Sequence, residues 1–183
     1  YEISECLVGS EMCIRDSAFY DKELIDIAAQ KENIPFDLLA KVDEKRGSQW
    51  RFPIDHELQM DSDFHFVPMN DVLFDLQRKI ILDAAEKEDC VIVGRCANHI
   101  LDNKCLSVFI HAPFEYRVQT VIERTGREEK SAQKLVKKVD KERRTYYEYF
   151  TDKKWKDISQ YHLAFDSSKF EQDKIIQMIK MAL

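Results

Sequence analysis

The sequence predicts an α/β fold in three layers, a parallel sheet with helices on both faces. Three observations carry this. The apolar runs Cys90-Val-Ile-Val93, Ser107-Val-Phe-Ile110 and Leu163-Ala-Phe165 are continuous rather than alternating, as strands buried on both faces of a parallel sheet are. Stretches with helical spacing separate them, and strand–helix alternation implies right-handed crossovers. At 183 residues, the chain is long enough for one sizeable core.

The elements follow in order. Ala18-Phe-Tyr20 reads as a short fourth strand. From Trp50 to Pro68, with Gly47 before it and Pro53 within it, no period is visible. This stretch is either a loop-rich insertion over a ligand or a plain connection. Leu73, Leu76, Ile80 and Ala84 recur at helical spacing behind Pro68, Asn70 and Asp71, a start signal. Residues 97–101 suit a short helix after Gly94 and Arg95, and Val118, Val121 and Ile122 continue a helix after Pro113. Residues 128–150 read as a long, mostly solvated charged helix. Ser168-Lys-Phe-Glu171 has the pattern of a capping box ahead of Ile175, Ile176, Met178 and Ile179.

Leu7 to Ser17, LVGSEMCIRDS, resembles a translated frame of a sequencing-library adapter rather than native protein. Residues 1–17 are therefore set aside from fold reasoning, leaving 18–183 as a single domain. Half of the net charge of −6 lies in that tail, where Glu2, Glu5, Glu11 and Asp16 outnumber Arg15. The mild acidity of the rest argues against a nucleic-acid binder, which shows a basic face. No apolar run approaches the ~20 residues that span a bilayer, so no membrane partner is expected. Cys90, Cys96 and Cys105 are odd in number and form no C-x-x-C pair, so they read as reduced structural thiols suited to the cytoplasm. Cys96 and His99 are too few to make a zinc site, and no metal ligands are assigned. Oligomeric state is left open.

In α/β folds ligands sit beyond the carboxyl ends of strands, which directs attention to the residues after each run. Gly94 lets backbone approach a ligand closely and Arg95 is suited to grip phosphate in a bidentate fork. Arg95 pairing with a carboxylate is an equal alternative. Asp21, after the first strand, either contacts a sugar or base or, as the local sequence favours, caps a helix. Within the long helix Lys137, Lys141 and Arg144 share a face, and Asp140 is spaced to pair with Arg144. Arg117 and Arg124 precede that helix, with Arg127 after Gly126. Clustered fixed cations suit phosphoryl transfer, although a solvated charged helix is the usual reading of such a run. Tyr146 to Phe150 and Trp155 either stack a base or, the better reading, pack the helix end onto the body. A surface for docking a partner is a third possibility for these aromatics. Glycine occurs only at 9, 47, 94 and 126, so no Gly-rich turn is present to cradle a triphosphate.

From about Ala18 onward the chain resembles the cytidylate kinase-like proteins, a branch of the P-loop nucleoside monophosphate kinases. The matching residues are Phe19-Tyr-Asp-Lys-Glu-Leu-Ile25, Val42-Asp-Glu-Lys45, Val91-Ile-Val-Gly-Arg-Cys-Ala97, Val108-Phe-Ile110, Ala112-Pro113, Lys137-Lys-Val-Asp-Lys141, Tyr146-Tyr147, Thr151, Lys153-Lys-Trp155 and Asp166-Ser-Ser168. The resemblance implies a P-loop kinase-like fold whose first strand and phosphate loop are missing here, with residues 128–155 as a lid. It implies transfer of the ATP γ-phosphoryl group, with Mg²⁺, to a nucleoside monophosphate such as CMP. By the same resemblance Asp21, Gly94 and Arg95 face the acceptor. Arg143 and Arg144, oriented by Asp140, stabilise charge in the transition state, and Arg117 and Arg124 are weaker candidates. Without its loop this chain is expected to be inactive and poorly stable, with an exposed sheet centre. A non-catalytic nucleotide-binding or regulatory module is the alternative.

Overall fold

The computed structural model describes residues 18–20, 27 and 69–183. Asp21, the Val42–Lys45 motif, the adapter-like tail and the Trp50–Pro68 stretch lie outside them. The elements are β1 (Ala18–Tyr20), α1 (Met69–Lys87), β2 (Cys90–Ile92), α2 (Ala97–Ile100), β3 (Val108–His111), α3 (Phe114–Thr125), α4 (Glu129–Thr151), β4 (Leu163–Asp166) and α5 (Gln172–Ala182). Single 3₁₀ turns lie at Asp102–Lys104 and Ile158–Gln160.

The four expected strands form where the apolar runs predict them, and among the described residues all pairing is parallel. β1 pairs β2 with Ala18 opposite Cys90, and β3 pairs β4 with Val108 opposite Leu163. Among the described residues these are two separate two-stranded sheets rather than one continuous sheet. Their side chains are mostly half-buried, as the strand patterns show. The continuous burial expected of a parallel sheet core is therefore only partly reached.

Alternation along a strand sends successive side chains to opposite faces, and the β1–β2 pair uses both. Tyr20 and Ile92 pack with Leu73, Leu76, Ile80 and Ile81 of α1 and with Ala97 and Leu101. Phe19 and Val91 pack instead against Ile176 of α5. This pair is thus covered by helix on each face. The deepest side chains, Leu73, Ile81, Gln77 and Ile175, come from those two helices.

Helix α3 ends at Gly126, whose φ of 64° sits in the left-handed region and whose N–H closes onto the Ile122 carbonyl. That glycine lets the chain reverse into α4 with no side chain to strain. Val118, Ala132 and Val136 seal the α3–α4 hairpin together with Phe114, Val121 and Ile122. Farther along, the same helix changes neighbours. Tyr146 and Tyr147 are buried with Cys96, Phe74, Phe150 and Trp155, and the Phe74 and Phe150 rings stack 4.0 Å apart. The aromatic run therefore packs the helix end through Tyr146 and Tyr147, each 5% exposed, while Tyr149 is 50% exposed.

The Ser168–Glu171 capping box does not form. Ser168 donates both its N–H (2.9 Å) and its hydroxyl (2.6 Å) to Asp166 Oδ1, which ties it into the turn leaving β4. Helix α5 opens at Gln172 with Glu171 at its N-cap. These donations hold the Asp166 carboxyl below the usual carboxylate range. No helix among the described residues is long and apolar enough to cross a membrane.

Truncating Leu73 to Ala removes a fully buried side chain from the α1 seam and is expected to cost about 2–5 kcal/mol. Met181→Ala, at a position 80% exposed, is expected to stay within about 0.5 kcal/mol. Urea unfolding followed by circular dichroism checks both, and equal small effects would mean that α1 is not seated as described.

Candidate functional site

The chain leaves β2 through an unusual turn. The Val93 N–H still donates to the Tyr20 carbonyl at 2.9 Å, continuing the ladder by one residue. Gly94, Arg95 and Cys96 then take φ values of 75°, 53° and 56°, three left-handed residues in succession. Glycine adopts this region freely, whereas the arginine and the cysteine each cost about 1–2 kcal/mol. Such conformations persist where surrounding structure over-determines them and cluster at ligand clamps. Here the turn is closed by Ala97 N–H donating to the Gly94 carbonyl at 3.0 Å, and α2 begins at once.

The turn lies at the carboxyl end of a parallel strand, where α/β folds bind ligands. Gly94 is exposed, while Arg95 is buried at 4% exposure and has an interaction partner within the protein. Arg95 is therefore a preplaced cation beneath the surface of the turn.

Helix α4 delivers the second group of cations. Cys96 packs against Tyr146 and Tyr147, and Arg143 and Arg144 precede Tyr147 by four and three residues. Residues so spaced share a helix face, with a rise of about 6 Å over one turn. Arg143 is half-buried and Arg144 exposed. The fold thus sets the turn that carries Arg95 against Tyr146 and Tyr147, one turn along α4 from Arg143 and Arg144. Arg124 is exposed near the reversal at Gly126. The length of α4 separates that tip from Tyr147, about 27 Å along the axis, and the fold does not bring Arg124 to the turn.

Asp140 has a different partner from the one its spacing suggests. Its carboxylate receives a bidentate fork from Arg117, Nη1 to Oδ1 at 2.6 Å and Nη2 to Oδ2 at 3.0 Å. Lys156 Nζ approaches Oδ2 at 4.0 Å. The pairing with Arg144 expected from the i, i+4 spacing gives way to the planar two-bond match between guanidinium and carboxylate across the hairpin. Asp140 thereby ties α3, α4 and the segment after α4 together, and Arg117 braces the two helices.

Three further residues complete the region, and the sequence had not singled two of them out. Asn98 Nδ2 donates to the Tyr147 hydroxyl, which donates to Gln160 Oε1, both at 3.0 Å. Gln160 Nε2 then donates to the Lys154 carbonyl at 2.9 Å. Asn98 and Gln160 lie on short elements with no period to mark them, and for Tyr147 packing was the better reading beside base stacking and partner docking. Burial, and then the neighbouring Tyr147 hydroxyl, push the Tyr161 phenol well up. The Cys90 and Cys105 thiols are also raised, chiefly by burial and then by nearby carboxylates, which makes them poor nucleophiles near neutral pH. Among the described residues no group of three or more His, Cys, Asp or Glu side chains is placed to hold a metal ion.

Comparison with known proteins adds the following. Residues 16–169 match the family model described as the cytidylate kinase-like family. Three curated relatives are called cytidylate kinase. That of Methanopyrus kandleri is 26% identical over 55% of this chain and 58% of its own length. That of Pyrococcus furiosus is 30% identical over 56% and 53%, and that of Methanococcoides burtonii 30% over 63% and 65%. The chain thus spans between about half and two thirds of the length of these relatives. A crystal structure of an uncharacterized protein from Eubacterium ventriosum matches with a TM-score of 0.63 at 29% identity, covering 98% of this chain and 90% of that one.

Two outcomes are expected from these contacts. Arg117→Ala and Asp140→Ala are each expected to cost about 1 kcal/mol, the pair being half-exposed, and the double variant little more than either. A double-mutant cycle with no coupling energy would show that the fork contributes nothing. Because its folded-state pKa is raised, Tyr161 contributes stability that is fully present below its unfolded value of about 10 and lost as pH rises beyond it. Tyr161→Phe is expected to flatten the fall of the thermal midpoint above pH 10, and an unchanged slope would contradict this.

Proposed function

The chain belongs to the cytidylate kinase-like family, and we propose that it is the acceptor-binding and lid portion of a phosphotransferase. In this reading the γ-phosphoryl group of ATP passes to a nucleoside monophosphate of the CMP type. The observation that carries the reading is the packing of the left-handed Gly94–Cys96 turn, with its buried Arg95, against the part of α4 that carries Arg143 and Arg144 one turn earlier. Phosphoryl transfer asks little covalent chemistry of a protein; it needs fixed positive charge and alignment. Arg95 supplies a preplaced cation for the acceptor phosphate, and the bare backbone of Gly94 lets that phosphate come close. Arg143 and Arg144 supply charge from the lid side, where it counters the negative charge spreading over the migrating group. Asp140 orients this helix through its fork with Arg117. Asp21 remains a proposed contact to the acceptor.

ATP and Mg²⁺ are what the family uses in general. Mg²⁺ is held mainly by phosphate oxygens and one or two carboxylates, so the nucleotide itself would carry most of its ligands. The two parallel pairs, β1–β2 and β3–β4, suit a sheet that takes one further central strand, as in a complete three-layer P-loop kinase fold. In that arrangement the strand and its phosphate loop come from sequence preceding Ala18 in the parent protein, and the chain as it stands does not turn over. The partners are then small nucleotides rather than nucleic acid or a membrane, and the setting the cytoplasm. The glycine count favours one other reading, a nucleotide-binding module without catalysis.

The test measures CMP binding by calorimetry and transfer of labelled phosphate from ATP. CMP binding without turnover is expected for the present chain, and turnover once the native upstream segment is joined. In that longer protein Arg144→Ala is expected to lower kcat by about 10²–10³. Binding of no nucleoside monophosphate by either form sinks the kinase reading. Binding with no turnover even in the longer form hands the lead to the non-catalytic module.

A further inference from the structure

The strained turn needs something to hold it, and the side chain that does so belongs to another element. Asn98 stands two residues beyond the left-handed Cys96, and its amide is fixed by the Tyr147 hydroxyl at 3.0 Å. Cys96 itself lies against the Tyr146 and Tyr147 rings. Tyr147 is 5% exposed and Asn98 half-buried, so this hydrogen bond is partly shielded from bulk water. The backbone of Tyr147 is anchored in turn: its carbonyl accepts the Thr151 hydroxyl at 2.7 Å, and Thr151 Oγ1 accepts the Lys153 N–H at 3.2 Å. Four residues before Tyr147 on the same helix is Arg143.

We infer that Tyr147 is a positioning residue that couples the Gly94–Cys96 turn to α4, so that Arg95 and the Arg143–Arg144 segment are set as one unit. This rests on the phosphotransferase reading of the Arg95 turn. Two of the hydroxyl's partners have separate consequences. The bond from Asn98 reaches the turn, whereas the bond to Gln160 reaches only the segment after α4. Removing the Asn98 arm frees the left-handed run to relax toward cheaper backbone and carries Arg95 out of register. Removing the Gln160 arm leaves the turn clamped.

The experiment compares Tyr147→Phe, Asn98→Ala and Gln160→Ala in the full chain. CMP is the probe, amide hydrogen exchange at Ala97 the local readout and thermal unfolding the control. Tyr147→Phe and Asn98→Ala are expected to weaken CMP binding about tenfold and to speed Ala97 exchange about tenfold, the scale of one lost hydrogen bond. Gln160→Ala is expected to leave both near the parent value. In an Arg95→Lys background, Tyr147→Phe is expected to add no further loss of CMP affinity, because it acts through Arg95. If all three variants weaken binding only in proportion to their thermal midpoints, Tyr147 is structural and the inference falls. An unchanged Ala97 exchange rate in Tyr147→Phe overturns it as well, whether or not CMP binds. Failure of the parent chain to bind CMP, with the Ala97 response intact, strikes the phosphotransferase reading and leaves the coupling standing.

Discussion

Everything in the site region depends on the aromatic seam that clamps the C-terminal part of α4 to the body. Phe74 stacks on Phe150, Tyr146 meets both rings, and Cys96 and Tyr147 close the seam toward the sheet. Offset and edge-on ring pairs add about 0.5–1.5 kcal/mol each beyond their buried area. The Tyr146 hydroxyl also donates to Gln77 Oε1 at 3.3 Å, an amide with no solvent exposure. Buried polar pairs of this kind specify one arrangement, because any slip leaves a donor or acceptor unsatisfied. Without the seam, α4 would be held to the molecule chiefly through α3.

The seam explains how one helix serves two surroundings. Its first half is a hairpin partner, sealed by the small Ala132, which has no exposure, and by Val136. Its last turns are core. Between them lies the stretch of five cations and two acids from Lys137 to Arg144, too polar to bury and fixed at both ends. The Arg117–Asp140 fork sits in this stretch and stops it from twisting freely against α3. Charge is thus presented on a rigid rod and not on a loop.

Much of this was legible in the sequence. The strands appear where continuous apolar runs marked them, because burial on both faces leaves a short run with no polar interruption. The long charged helix is found within a residue or two of its expected ends, Glu129 and Thr151. Two local readings failed, for the same reason. Ser168 and Asp140 were each spaced for an i, i+3 or i, i+4 partner, and each took a better one, the Asp166 carboxylate and the Arg117 fork. Spacing along a chain shows which partners are near, but it does not rank them against residues that folding brings in. The left-handed state of Arg95 and Cys96 was equally invisible, since neither side chain favours it and tertiary packing imposes it.

The α3–α4 hairpin behaves mechanically as a beam fixed at one end. Its seat is the aromatic seam, and its free end is the Gly126 reversal, some five helical turns away, about 27 Å at 1.5 Å per residue. At that length a rocking of about 10° at the seat sweeps the tip through about 5 Å, with no hydrogen bond inside either helix disturbed. Any such rocking at the rings of Phe74, Tyr146 and Phe150 would be geared up into a displacement of about that size at the far end.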